Sequence, residues 1–231
     1  MNVKYNKSSR MMEIEFQFRD VKEANLFRNI YPYNEVPRLV FNHRIVPMNI
    51  PESLYITDTT FRDGQQSRSP YTVAEISRLF DLLHELDNGS GIIKQSEFFV
   101  YSKKDREAIA KCMEKCYDYP QVTAWIRARK EDFQLVKEIG IKETGILVSC
   151  SDYHIFKKLK MNRTQAMNNY LEIVVAALEA GIIPRCHFED VTRADFYGFV
   201  LPFANKLMEL SKQAKMPVKI RACDTLGLGV S

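Results

Sequence analysis

The sequence predicts an α/β fold, a (β/α)8 TIM barrel with about six of its eight β/α units present, preceded by a small N-terminal appendage. Three observations lead there. From Ile50 onward, short apolar runs alternate with capped amphipathic segments of helical period. Parallel strands need crossover connections of this kind, so the alternation implies a parallel sheet wrapped by helices. Polar and ionisable residues gather just after the apolar runs, on the side where barrels keep their chemistry. A closed barrel takes roughly 250 residues, and six strands are counted before Ser231, so two units are expected beyond this stretch.

Residues 1–49 form the appendage, and residues 50–231 the partial barrel. Met12 to Phe18, MEIEFQF, alternates apolar with acidic or polar side chains, the period of a half-exposed strand, and Val46-Pro47 marks a break. The first barrel strand is the run Leu54-Tyr55-Ile56. Thr72 and Glu75 have capping-box spacing before a helix with Ile76, Leu79, Phe80, Leu83 and Leu86 on one face, ended by Asn88-Gly89. Ile92-Ile93 and Glu97 to Val100 give the second strand region. Ser102 and Asp105 cap the next helix, which turns Ile109, Met113 and Cys116 toward the sheet.

Strand three is Val122 to Ile126, and its helix runs from Glu131 to Gly140, a natural stop. Strand four, Gly145 to Val148, leads through a loop from Ser149 to Asn162 into a helix from Thr164 to Ala180. Met167, Leu171, Val174, Val175 and Leu178 form its stripe, and Gly181 closes it. Strand five is Ile183 to Phe188. Thr192 and Asp195 then start a long helix carrying Phe196, Phe199, Phe203 and Leu207, which Pro202 is expected to kink. Strand six is Val218 to Cys223.

The composition, 45% hydrophobic and 27% charged, is that of a globular protein and excludes disorder. The net charge of +4 is spread without long blocks of one sign, which gives no support to nucleic-acid binding but suits anionic small substrates. No apolar run approaches the ~18 residues of a membrane span, and the polar N-terminus has no signal-peptide core, so a cytoplasmic protein without a membrane partner is expected. The five cysteines, an odd number without C-x-x-C spacing, fit a reducing compartment. Cys112 and Cys116 lie one helical turn apart beside Ile109 and read as buried small hydrophobes.

The chemistry centres on Asp58 to Gln66, DTTFRDGQQ. Gly64 lets the backbone turn and approach a ligand closely. Arg62 can bind an oxyanion, and Asp63 a cation. Further candidates follow the other strands: Glu97 in the second strand region, Ser151, Asp152 and His154 after strand four, His187, Glu189 and Asp190 at strand five, and Asp224 and Thr225 at strand six. His43 and His84 lack such a context and are assigned to surface or core.

This string resembles the strand-one motif D-[ST]-[TL]-x-R-[DE]-G-x-Q of the DRE-TIM metallolyases, the HMGL-like or pyruvate carboxyltransferase domain superfamily, and the resemblance runs from about Ile50 to the end. It is most similar to the branch of 2-isopropylmalate synthase and homocitrate synthase. The resemblance implies a divalent cation (Mg, Mn or Zn) bound by Asp63, with Arg62 stabilising the oxyanion formed on a substrate carbonyl. It also places Glu189, the strand-five acid, near metal and substrate as a catalytic residue whose part in proton transfer stays open, against a plain helix-entry carboxylate. Thr225, in DTLG, would contact the carboxylate of a 2-oxo acid, and Gln66, His154 and Glu97 would be further substrate contacts. The segment SEFFVYSKKD departs from the usual I-E-x-G-x-P, which leaves the substrate side chain open.

The implied reaction is a Claisen condensation of acetyl-CoA, as co-substrate, with a 2-oxo acid by a homo-oligomer, a dimer. The general base is not identified. The family completes its metal site with an H-x-H pair on strand seven, and no H-x-H occurs in this sequence. The expectation is therefore that the enzyme continues past Ser231 and that this stretch alone is inactive. Two related chemistries share the motif in part: a biotin-dependent carboxyltransferase also has DTTFRD but continues A-H-Q, and a 3-hydroxy-3-methylglutaryl-CoA lyase ends G-L-Q, against Gly64-Gln65-Gln66 here. A third alternative is an inactive short barrel serving as a partner or binding module.

Overall fold

The computed structural model describes residues 2–6, 11–15, 39–41, 44–46 and 51–227. The chain divides into two compact units, with the boundary between Ile50 and Pro51. In the first, β1 (Asn2–Asn6) pairs antiparallel with β2 (Met11–Glu15), Asn2 opposite Glu15. Likewise β3 (Leu39–Phe41) pairs with β4 (Arg44–Val46), Leu39 opposite Val46. The strand expected over Met12 to Phe18 is thus β2; residues 16–18 and Pro47 lie outside the described residues.

The second unit is an arc of six parallel strands in sequential order: β5 (Ile56–Asp58), β6 (Ile93–Phe98), β7 (Gln121–Ile126), β8 (Glu143–Ser149), β9 (Ile183–Glu189) and β10 (Lys219–Ala222). Each pairs with the next, the order of a (β/α) barrel wall. Five helices cover its outer face: α1 (Val73–Asp87), α2 (Lys103–Met113), α3 (Asp132–Ile139), α4 (Arg163–Glu179) and α5 (Leu201–Ala214). Capping boxes start α1 (Thr72 with Glu75), α2 (Ser102 with Asp105) and α4 (Asn162 with Gln165). Gly140 stops α3 in the left-handed region at φ 83°. The apolar core lies between sheet and helices, where Phe188 of β9 stacks on Phe203 of α5 at 5.3 Å.

Several expectations shift. The first strand takes Ile56 to Asp58 and leaves Leu54 and Tyr55 exposed, because Asp58 anchors it to β6 through the Ser96 hydroxyl at 2.6 Å. Leu86 is exposed, and its neighbour Asp87 is buried instead. The Asp87 carboxylate accepts backbone N–H groups of Gly91 at 2.8 Å and Ile93 at 2.7 Å, tying the α1 end to β6. In α2, Cys112 is buried as expected. Cys116 lies past the helix end at φ 53° and is exposed, and Met113 is also exposed. The buried stripe of α4 is Ala166, Tyr170, Ile173, Val174 and Ala177, rotated from the expected one so that its alanines let the helix approach the sheet.

Two connections are more ordered than expected. The loop from Ser149 to Asn162 contains a π-helical turn over Tyr153–Lys158. The long helix after β9 is divided into a 3-10 turn at Val191–Arg193, a π-helical turn at Phe196–Val200, and α5. Asp195 caps the π-turn by accepting the Gly198 N–H at 2.8 Å, while Thr192 donates its hydroxyl to Asp224. Pro202 falls in the first turn of α5, where a missing N–H costs no intrahelical bond, so it starts a helix rather than kinking one.

Candidate active site

The lumen of the arc is where this sheet departs from an ordinary barrel. Parallel strands buried on both faces read as apolar runs, yet alternate positions here present Gln95, Glu97, Thr123, Glu143, Arg185 and His187, all buried. Their outward neighbours Phe98, Ile126, Ile146, Val148, Cys186 and Phe188 form the core. At the centre stands Glu97, with no exposed surface. Its Oε2 accepts from Arg62 Nε at 2.9 Å, and its Oε1 from Arg185 Nη2 at 2.7 Å and Arg221 Nη1 at 2.9 Å. One buried carboxylate thus joins three guanidiniums.

Arg62 comes from the turn after β5. Backbone N–H groups of Arg62, Asp63 and Gly64 all converge on the Thr59 carbonyl, folding the turn tightly under the side chain. Its guanidinium lies 5.0 Å from the ring centroid of Trp125, and Nη1 contacts Asp63 at 3.3 Å. The Glu97 bond and the indole fix the plane of a group with little exposed surface.

Behind Glu97, Arg185 is buried and fully used: it bonds Gln95 at 2.6 Å, Glu97, Glu143 and Thr123. Glu143 also takes Lys219. His187 accepts from Arg185 Nε at 3.3 Å through Nε2, which requires the neutral ring. Burial and the charges of Arg221, Arg185 and Arg62 hold its pKa far down, at about 2. Glu97 Oε1 lies 3.5 Å from Nε2 and would favour protonation, but that oxygen is already shared by two guanidiniums, so desolvation and the arginines win. Gly145 makes this packing feasible: a Cβ there would stand 2.6 Å from Trp125 Cδ1 and 2.9 Å from His187 Nε2.

A pH dependence follows. The folded His187 has its pKa depressed below the unfolded value of about 6.5, so its contribution to stability is full above that pH and is lost as pH falls toward about 2. Unfolding midpoints between about pH 7.5 and about pH 5.5 are expected to drop less steeply in His187→Gln than in the unaltered protein. Parallel curves would remove the argument.

A second group lies at the mouth of β8 and β9. Glu189 Oε2 accepts from Ser149 Oγ at 2.8 Å, His154 Nδ1 at 3.1 Å and Lys158 Nζ at 3.3 Å. The π-turn after β8 brings His154 and Lys158 back over the strand end. Asp190 follows in the left-handed region at φ 61° and is held by Arg193 through both carboxylate oxygens, which keeps its pKa below the ordinary range. Its N–H donates to Thr225 Oγ1 at 2.8 Å, linking the ends of β9 and β10.

The sequence candidates therefore fall in two sets, Arg62 with Glu97 and Glu189 with His154, with Thr225 beside the second. Asp63 stands at the rim with an exposed side chain. Gln66 is exposed as well, and its neighbour Gln65 carries the local bonding, donating to the Phe61 carbonyl and accepting from Tyr71 N at 3.0 Å and Lys104 Nζ at 3.1 Å. Among the described residues, no group of three or more His, Cys, Asp or Glu side chains could hold a metal ion. Asp63 is one hard oxygen ligand and does not make a metal site by itself. Sequence reasoning missed Arg185, Arg221, Glu143, Trp125 and Lys158. The alternation of Arg185, His187 and Glu189 with Pro184, Cys186 and Phe188 was the available signal.

A parallel (β/α) arc with an Arg-Asp pair at the mouth of its first strand and carboxylates at its later strand ends is the wall of a (β/α) barrel. The HMGL-like family model matches residues 53–230, and the chain belongs to the HMGL-like family. It is 63% identical over 216 residues to a citrate (Re)-synthase of Clostridium kluyveri, covering 94% of this chain and 48% of that protein. It is 53% identical over 234 residues to a citrate (Re)-synthase of Syntrophus aciditrophicus, covering 99% of this chain and 37% of that protein. A 2-phosphinomethylmalate synthase of Streptomyces hygroscopicus is 37% identical over 214 residues, covering 90% of this chain and 48% of that protein. The chain thus spans half or less of the length of these relatives. Among solved structures, hydroxymethylglutaryl-CoA lyase from Pseudomonas aeruginosa superposes with a TM-score of 0.55 at 21% identity, covering 79% of this chain and 61% of that chain, a likeness of fold. No helix among the described residues is long and apolar enough to cross a membrane.

Proposed function

We propose that the protein condenses acetyl-CoA with a 2-oxo acid, and that the acid is oxaloacetate, giving citrate. The observation that carries the reaction class is Arg62, held through Nε by the buried Glu97 at the mouth of β5. A guanidinium fixed in this way offers its remaining edge to a developing oxyanion without reorganising during the reaction. Identities of 63% and 53% to two citrate (Re)-synthases support citrate as the product over 2-isopropylmalate or homocitrate, since the 2-isopropylmalate synthase 2 of Caldanaerobacter subterraneus is 32% identical. Removing an acetyl unit from the carbinol carbon of citrate leaves oxaloacetate, which sets the acceptor.

In this reading Glu189 takes a proton from the acetyl methyl group, with His154, Ser149 and Lys158 holding its other oxygen. The enolate carbon bonds to the 2-oxo carbon, and the carbonyl electron pair moves onto oxygen beside Arg62. The alkoxide gains a proton to become the hydroxyl, and water cleaves the thioester to free the CoA thiol. Thr225 accepts from Asp190 N–H, and its bond to the Cys223 carbonyl at 3.5 Å is weak, so its proton serves a substrate carboxylate. A divalent cation, Mg, Mn or Zn, enters this reading through Asp63 alone, and no step here uses it. A cytoplasmic homodimer completes the assignment, its compartment supported by five free cysteines.

The test is release of CoA from acetyl-CoA by the native protein with oxaloacetate, 2-oxoglutarate, 2-oxoisovalerate or pyruvate offered singly. Oxaloacetate is expected to give the highest kcat/KM, with citrate formed. Glu189→Gln is expected to lower kcat by about 10²–10⁴-fold, the range of a positioned general base. CoA release with none of the four acids would overturn the reaction class.

A further inference from the structure

The lumen of β9 and β10 holds more positive than negative charge. Register places Lys219 beside Arg185 and, one layer nearer the mouth, Arg221 beside His187. With Arg62 these make four cationic groups. Facing them are Glu97, Glu143 and, at the exposed rim, Asp63. Glu143 is taken by Arg185 and Lys219, and Glu97 is divided among three guanidiniums.

The four cations are not equally used. Arg185 is buried, and its bonds to Gln95, Glu97, Glu143, Thr123 and His187 leave it no capacity. Arg221 reaches Glu97 through Nη1 alone; its Nε and Nη2 make no hydrogen bond among the described residues, and its side chain is 29% exposed. The same lumen holds a second unmet donor, Trp125 Nε1, buried and without a hydrogen-bond partner among the described residues. Native structures seldom leave such groups unpaired without a functional reason. Among the described residues the lumen is therefore short of acceptors, and a planar anionic oxygen pair is the ligand that a guanidinium fork matches.

We infer that Arg221 is a specificity-determining residue that binds the second carboxylate of a 2-oxo dicarboxylic acid. The inference rests on the proposed condensation and deepens it. Thr225, beyond Arg221 on the chain that leaves β10, serves the carboxylate next to the reacting carbonyl. Arg221, deeper in the lumen, serves the far one. A monocarboxylic 2-oxo acid would leave this guanidinium sharing half of Glu97, so the site discriminates against it by an unmet charge as well as by a lost bond.

The experiment compares Arg221→Gln and Arg221→Lys with the unaltered native protein, each checked for folding by circular dichroism and thermal unfolding. CoA release is measured with oxaloacetate and with 2-oxobutanoate, which lacks the second carboxylate. The expected result for Arg221→Gln is a rise in KM for oxaloacetate and a fall of roughly 10–100-fold in the ratio of kcat/KM for oxaloacetate to that for 2-oxobutanoate. Arg221→Lys, which keeps the charge and loses the fork, should fall between. An unchanged ratio, with both substrates losing equally, would show Arg221 to be only a support for Glu97 and would overturn the inference while leaving the condensation intact. CoA release with neither acid in the unaltered protein would overturn the condensation itself. If Arg221→Gln does not fold, the intermediate ratio in Arg221→Lys decides.

Discussion

Arg62→Lys is expected to lower kcat about 10²–10³-fold with little change in the KM for the 2-oxo acid. The ammonium keeps the charge but not the geometry. Arg62 reaches back to Glu97 through Nε at 2.9 Å while its plane lies against Trp125, whereas the three donors of a lysine ammonium share one freely rotating nitrogen and cannot hold one fixed edge on Glu97 and another on the substrate. On the proposed condensation the loss belongs to kcat, because the oxyanion would exist only after the enolate had attacked and the interaction would be stronger in the transition state than in the bound substrate. Steady-state kinetics of CoA release provide the check. A variant that lost affinity while keeping kcat would mean that Arg62 binds the ground state and that the oxyanion role belongs elsewhere.

Glu97→Ala is expected to destabilise the fold by about 3–5 kcal/mol, the cost of leaving buried charge without its partner. Arg185 sits at 4% exposure with Glu97 and Glu143 as its two carboxylates, and Glu97 is also shared by Arg62 and Arg221. Removing Glu97 leaves three guanidiniums near one another with little water to separate them. Adding Arg185→Met to the variant is expected to restore part of the loss, because it removes the most deeply buried cation, whereas adding Arg62→Met should restore less. Denaturant unfolding of the single and double variants measures both. A loss below about 1 kcal/mol for Glu97→Ala would place the network among surface-like ion pairs and undo this account.

The chain of contacts from Arg62 through Glu97 to Arg185 explains why the lumen is polar. Glu97 serves Arg62 on the mouth side and Arg185 on the inner side, so the charge that aims Arg62 is itself held from below. The motif residue Arg62 is positioned by a carboxylate 35 residues away, which in turn is fixed by an arginine 88 residues further on. Local sequence marks the first member of this chain and is silent about the last.

How much was legible in the sequence follows the range of the forces involved. Capping boxes at Thr72–Glu75 and Ser102–Asp105 were readable because a cap is satisfied within four residues, and the stop at Gly140 because a left-handed residue is a local demand. Asn162 fills the same role at α4 with Gln165, and escaped only because the neighbouring Thr164 offered a competing start. Arg62, Asp63, Glu189 and Thr225 stood out because strand ends gather chemistry in this architecture. The sequence by itself thus determined the alternation of strand and helix, the order of the parallel sheet, and the turn that carries Arg62.

Only the tertiary structure decided which polar side chains share the lumen. Pairing of β8, β9 and β10 sets Gly145, Arg185 and Lys219 level, with Glu143 two residues below on β8 reaching up to both cations, and sets Arg221 beside His187. It also decided that Gln65 rather than Gln66 ties the motif turn to α2, and that Asp87 rather than Leu86 is buried at the end of α1. The physical reason is the same each time. Helix caps and turns are settled by neighbours in sequence, while a buried charge is tolerated only where several distant strands deliver its partners, and that delivery is set by sheet register rather than by any residue's own surroundings.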